Sequence, residues 1–174
     1  EEVLLFLSEV IQNENKWVQS ILQEILQSDG QYHKEGLFND KFKFLRQNFT
    51  IPHEIYEDML TVLFDSENPE NLDLVRLKNL DDEELALTTN KTDNYIGVIT
   101  VGDTKKFFDR IKESENNINC IENEIHSNSI FENISKEESS INILIGAKKF
   151  AEGWDSTRPS TMGLLNIGKS EGPL

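Results

Sequence analysis

Residues 95–101 read Tyr-Ile-Gly-Val-Ile-Thr-Val, and Gly102-Asp103-Thr104 follows them directly. A run this apolar at consecutive positions leaves neither face for water, so as a strand it must be covered on both sides. Gly-Asp-Thr then breaks the strand and supplies a helix cap, and Phe107, Phe108 and Ile111 recur at helical spacing beyond it. A strand buried on both faces and leading into an amphipathic helix is the unit from which layered α/β sheets are built.

The flanking segments fit that plan. Leu4, Leu7, Val10, Trp17, Ile21 and Ile25 mark a 3.6-residue period that predicts a helix over 2–27, stopped by Ser28-Asp29-Gly30. Residues 31–50 are mixed, with Phe38, Phe42, Phe44, Leu45 and Phe49 candidates for a second helix, and Pro52 suits the first turn of a third that runs to about Phe64. After the turn at 66–71 the texture changes. Leu72–Lys78 and residues 84–89 read as two strands of a hairpin. A polar stretch from Glu113 to Asn119 follows the helix at Thr104, and a short helix is expected over 128–137 around Ile130, Phe131 and Ile134. Ile141–Ile145 predicts another buried strand and Thr161–Ile167 a third. The expected fold class is α/β with a mainly parallel sheet, preceded by a helical segment and a β-hairpin. Residues 1–71 form the helical elaboration and 72–174 the sheet-bearing domain.

Charge narrows the partners. The chain of 174 residues carries a net charge of −15, which opposes nucleic-acid binding by the molecule as a whole. Two islands are exceptions. Residues 95–112 hold Lys105, Lys106, Arg110 and Lys112 against two acids, and residues 141–172 hold Lys148, Lys149, Arg158 and Lys169 against three. They can form one phosphate-facing surface or simply be solvated. With a mean hydropathy of −0.49 and no apolar run long enough to span a bilayer, no membrane role is expected. The lone Cys120 fits a reducing cytoplasm, and His33, His53 and His126 are too scattered for a metal site. The chain opens Glu1-Glu2 and closes Gly172-Pro173-Leu174, which suggests a segment of a longer protein.

Gly163–Ser170, GLLNIGKS, matches the phosphate-cradle pattern G-x-x-x-x-G-K-[ST]. A true cradle follows a buried strand and opens a helix at its Lys-Ser. Here Leu164, Leu165 and Ile167 between the glycines suit a strand instead, and Gly172-Pro173 stops any helix that begins at Lys169. The pattern is expected to be a strand and a polar turn.

The stretch that contains it carries more. After the strand at Ile141–Ile145 the chain reads Gly146-Ala-Lys-Lys-Phe-Ala-Glu-Gly-Trp-Asp155. In open α/β sheets ligands gather at the carboxyl ends of strands, and this loop offers glycines, two lysines and an acid there. It resembles motif V of superfamily 2 helicases. The whole run LIGAKKFAEGWDSTRPSTMGLLNIGKSEG is similar to the helicase portion of the Res subunit of type III restriction enzymes, within the DEAD/DEAH-box family. The resemblance is dense over 72–172 and specific over 141–172.

That resemblance implies the second RecA-like domain of an ATP-dependent DNA helicase or translocase, truncated before motif VI. Gly153 and Asp155 match the motif V Gly-x-Asp at the nucleotide cleft between two such domains. Lys148 and Lys149 stand where the family's loop approaches the DNA backbone, and Thr100, Gly102, Asp103 and Thr104 open a helix whose amino end could hold a phosphate. Structural capping by Asp155 and plain solvation of the lysines are the competing readings, and Trp154 is read as core. The parent would use ATP and Mg²⁺, act on double-stranded DNA and work with a modification methyltransferase subunit in the cytoplasm. This segment alone holds neither cofactor, because a phosphate cradle, a magnesium-binding acid and an arginine finger are needed together. Two rivals remain: a stand-alone acidic α/β interaction module with an incidental GxxxxGKS match, and a true P-loop protein. The purified chain is expected neither to hydrolyse ATP nor to cut DNA, and DNA-stimulated phosphate release from it would overturn that expectation of inactivity.

Overall fold

The computed structural model describes residues 1–12, 16–27, 42–78, 83–89, 94–123, 129–130 and 134–146. Its centre is the hairpin of β1 (Leu72–Lys78) and β2 (Glu83–Thr89), antiparallel with Leu72 opposite Thr89 and Lys78 opposite Glu83. β3 (Gly97–Thr100) continues the antiparallel run beside β2. β4 (Asn119–Asn123) lies parallel to β1 at one edge, and β5 (Ile143–Gly146) lies parallel to β3 at the other. Among the described residues the order is β4-β1-β2-β3-β5, a mixed sheet of five strands in which β2 runs against the other four.

Side-chain alternation gives the sheet two apolar faces. Leu72, Leu74, Leu85, Leu87 and Ile99 face a layer built from α1 (Glu2–Gln12), α2 (Lys16–Gln27), α4 (Pro52–Phe64) and α5 (Thr104–Glu113). Leu4, Ile11, Leu22, Tyr56, Leu60 and Phe108 come from those helices into one core, so the helices of 1–71 share their hydrophobic interior with the sheet. Val75, Leu77, Ala86 and Val98 face the other way, onto Ile130, Ile134, Ile141 and Tyr95.

Local chemistry sets the helix ends. Pro52 occupies the first turn of α4, where its missing N–H costs nothing, and Glu54 reaches back to accept from the Thr50 N–H at 3.1 Å. Those bonds hold the Glu54 carboxyl below its ordinary range. At the other end Asp65 takes the left-handed conformation, φ 50°, which its short polar side chain tolerates. The buried Tyr56 hydroxyl donates to the Val10 carbonyl at 2.9 Å, and so ties α4 to the last turn of α1.

Several expectations change in detail. The helix predicted over 2–27 is described as α1 and α2, with residues 13–15 outside the described residues. In the region of the predicted second helix, α3 (Lys43–Asn48) spans 6 residues and buries no side chain fully. Ile141–Ile145 does not pair as a doubly buried strand: β5 begins at Ile143, its first three residues are half-buried, and among the described residues it ends the sheet order. The helix expected over 128–137 does not form at 129–130 or 134–138, which are coil, turn and bend, and 131–133 lie outside the described residues. Ile134 is instead buried against Val98. β4 was not anticipated at all. Asn119-Cys120-Ile121-Glu122-Asn123 reads as polar because only Cys120, following Ile118, turns toward the core from an otherwise open edge. Thr161–Ile167 lies outside the described residues.

One glycine is required by packing. A Cβ on Gly97 would meet the Ile143 carbonyl oxygen and Leu87 Cδ1, both at 3.0 Å, so β3 and β5 approach closely only because the side chain is absent. Gly97→Ala is expected to cost about 1–3 kcal/mol by forcing that contact apart, read as a lower urea midpoint with an unchanged slope.

Candidate functional site at the carboxyl ends of β3 and β5

β3 and β5 run side by side with Gly97 opposite Ile143 and Thr100 opposite Gly146, so their carboxyl ends finish at one level. From Thr100 the chain passes through Val101 and Gly102 to Asp103, which caps α5. Its carboxylate accepts from the Lys106 N–H at 2.9 Å, and its carbonyl receives the Phe107 N–H at 3.0 Å. Thr104, expected as a phosphate contact, is the first residue of α5 and is partly buried. An anion approaching this amino end therefore meets a carboxylate already bound to one of the free N–H groups. Backbone access is open beside it, since a Cβ on Gly102 would meet nothing within 4 Å. The Thr100 hydroxyl is buried at the strand end with no hydrogen-bond partner among the described residues.

The basic residues of α5 split into two groups. Arg110 pairs with Glu1 at 3.0 Å, and its guanidinium lies over the Phe107 ring, 5.6 Å from the centroid. Lys105 and Lys106 are exposed on a cavity of about 400 Å³ whose lining balances Asp103, Asp109 and Glu113 against Lys105, Lys106 and Arg110. A balanced lining gives a phosphate no net attraction, so this helix alone is a weak anion site.

Gly146 is the last described residue of β5. Lys148, Lys149, Gly153, Trp154 and Asp155 lie outside the described residues, as does the GLLNIGKS stretch at 163–170. Of the sequence-derived candidates, Thr104 and its neighbours Thr100, Gly102 and Asp103 are therefore the ones with a described place. Among the described residues no group of three His, Cys, Asp or Glu side chains could hold a metal ion, and no helix is long and apolar enough to cross a membrane. The Cys120 thiol is half-buried, and burial raises its pKa, so it stays protonated and is a poor nucleophile.

Two buried acids escaped the sequence reading, and both lie on the second face. Glu84, 3% exposed, accepts from the Ser129 hydroxyl and from the Ile130 N–H at 2.8 Å. Asp73, 5% exposed, accepts from Asn119 Nδ2 at 2.8 Å across the β1–β4 pair. The available signal was phase: in Leu-Asp-Leu-Val and Glu-Leu-Ala-Leu each acid alternates with leucines that face the helices, which puts it under the opposite cover.

No protein-family model matches the sequence, and no curated protein or solved structure matches it either. The likeness to helicase motifs therefore rests on the residues quoted above.

Burial raises the Asp73 pKa, and the Asn119 bond opposes this only in part. A carboxyl whose pKa is higher folded than unfolded binds its proton more tightly in the fold. Its stabilising contribution is complete below the ordinary aspartate value of about 3.9 and is lost as pH rises through the folded value. Asp73→Asn, which cannot ionise and can still accept from Asn119, is expected to raise the urea midpoint at pH 7, with the gain shrinking toward pH 3. A gain of equal size at both pH values would refute the assignment.

Proposed function

We propose that this chain is the second RecA-like domain of an ATP-dependent DNA helicase or translocase, of the kind found in the Res subunit of type III restriction enzymes. The observation that carries the reading is the parallel β3–β5 pair. It ends beside the start of α5, and the sequence that leaves it runs Ala147-Lys-Lys-Phe-Ala-Glu-Gly-Trp-Asp155. A strand end is where open α/β sheets present ligand loops, and that segment has the Gly-x-Asp of motif V. The hairpin, strand and helix upstream of it, in that order, also support the reading.

In this scheme Gly153 and Asp155 line the nucleotide cleft, and Lys148 and Lys149 touch the phosphate backbone of duplex DNA. Thr104 is a weaker contact because of the Asp103 carboxylate. ATP and Mg²⁺ belong to the parent protein, and ATP turnover there drives movement on DNA and licenses cleavage by a separate nuclease domain. The modification methyltransferase is the partner subunit, and the compartment is the cytoplasm. The nucleotide's phosphates and metal require residues from another domain, and this chain contributes one wall of the site.

A second reading is favoured by a different observation. Phe6 and Trp17 are 51% and 37% exposed with ring centroids 5.5 Å apart, an aromatic pair that suits an interaction module. Salt dependence separates the two. In the parent protein Lys148→Ala and Lys149→Ala should each weaken duplex-DNA binding and flatten the log–log salt slope by about 1. Lys169→Ala should leave nucleotide affinity unchanged. Unaltered DNA binding in both loop variants favours the interaction module, and loss of nucleotide binding in Lys169→Ala restores the P-loop.

A further inference from the structure

We propose that the exposed aromatic face of α1 and α2 is a docking surface for a basic, amphipathic segment of another protein. Such a partner rests on the interaction-module reading above and is independent of the DNA reading. α2 buries Val18, Leu22 and Ile25, and that stripe is enough to seat the helix on the core. Trp17 and Ile21, one position before Val18 and Leu22, widen the apolar face into water at 37% and 42% exposure. They stand one turn apart, and Phe6 of α1, 51% exposed, meets Trp17 with ring centroids 5.5 Å apart. Single exposed apolar side chains are ordinary on a protein surface, whereas three gathered in one patch mark a contact.

Charge selects the occupant. Glu2 and Glu9 lie one turn to either side of Phe6 on α1, Glu24 lies one turn beyond Ile21 on α2, and all three are exposed. Lys16 is the one base within these two helices. The whole chain, at a net charge of −15, adds to this field. A nucleic acid or an anionic membrane is repelled by such a surface. A second copy seated here through two-fold symmetry would set glutamates against glutamates. A segment bearing lysine or arginine meets the opposite condition. Its apolar side chains cover Phe6, Trp17 and Ile21, its cations pair with the glutamates at the rim, and the exposed aromatic rings accept a guanidinium or ammonium directly. The rim charges select the partner and speed its encounter, while the apolar centre supplies most of the affinity.

Fluorescence anisotropy on the full chain tests this with three dye-labelled synthetic helical peptides. All carry the same leucine stripe, and their polar positions are all lysine, all glutamine or all glutamate. At low ionic strength the lysine peptide should bind about tenfold more tightly than the glutamine peptide, and added salt should erase the difference. The glutamate peptide should not bind. Phe6→Ala should weaken the lysine peptide about tenfold, and Glu2→Gln combined with Glu9→Gln about threefold, the latter only at low salt. Ile21→Gln should act as Phe6→Ala does, and serves if that variant does not fold. Ile121→Thr, which removes an isoleucine of the same 42% exposure on β4, should change nothing. Lysine-peptide binding that survives both Phe6→Ala and Ile21→Gln overturns the proposal. Equal affinity for the lysine and glutamine peptides, both weakened by Phe6→Ala, overturns the basic partner and leaves the interaction-module reading standing. A dimer in sedimentation that Phe6→Ala dissociates makes a second copy the occupant and likewise overturns the basic partner. Failure of all three peptides to bind a monomeric chain removes the proposal and the module reading together.

Discussion

Burial of β2 on both faces is the constraint from which the rest of this molecule follows. Leu85, Ala86 and Leu87 are each 0% exposed, which requires cover above and below a strand that is also paired on both sides. The first face is answered by regular elements: α1, α4 and α5 bring Leu4, Ile11, Leu60 and Phe108 into one core with Leu85 and Leu87. The second is answered differently. Ile130 and Tyr95, neither on a helix or strand, close over Ala86, Val75 and Leu77. Irregular chain cannot satisfy its own backbone groups, so side chains must do so, and Glu84 and Ser140 accordingly bond to backbone at Ile130 and Tyr95.

The two kinds of cover differ in how they respond to change. A helix face loses stability in proportion to the apolar area removed, and its hydrogen bonds remain intact inside the helix. The second face depends on a small number of polar contacts that are buried with it. Glu84 and Asp73 are the acids involved, and a chain of net charge −15 places them there against its own self-repulsion. Burial and hydrogen bonding act in opposite directions on Asp73, and burial has the larger effect.

Elements with strong periodicity were visible in the sequence because one physical cause dominated each. Leu72–Lys78 and the Pro52 helix appear where the pattern put them, the first through two-face apolarity and the second through the proline at its first turn. Edges were not visible. β4 takes its strand character from pairing with β1, information held in residues 46 positions away at Asp73 and Asn119, and its own composition is polar. Ile130 and Ile134 have helical spacing, yet they serve to plug the second face from turns. At the candidate site the helix cap at Asp103 was read from Gly-Asp-Thr, whereas Glu84 was not. A buried acid is indistinguishable from a surface one until the cover over it is known.

The position of β5 joins the fold to the candidate site. Among the described residues β5 is a four-residue strand at the end of the sheet order, half-buried over its first three positions, with Ile143 and Ile145 packed against the main core. Gly97 faces Ile143 in this ladder, where an added Cβ would stand 3.0 Å from the Ile143 carbonyl oxygen. The in-register pairing of β5 with β3, Gly97 to Ile143 and Thr100 to Gly146, fixes where the chain leaves the sheet.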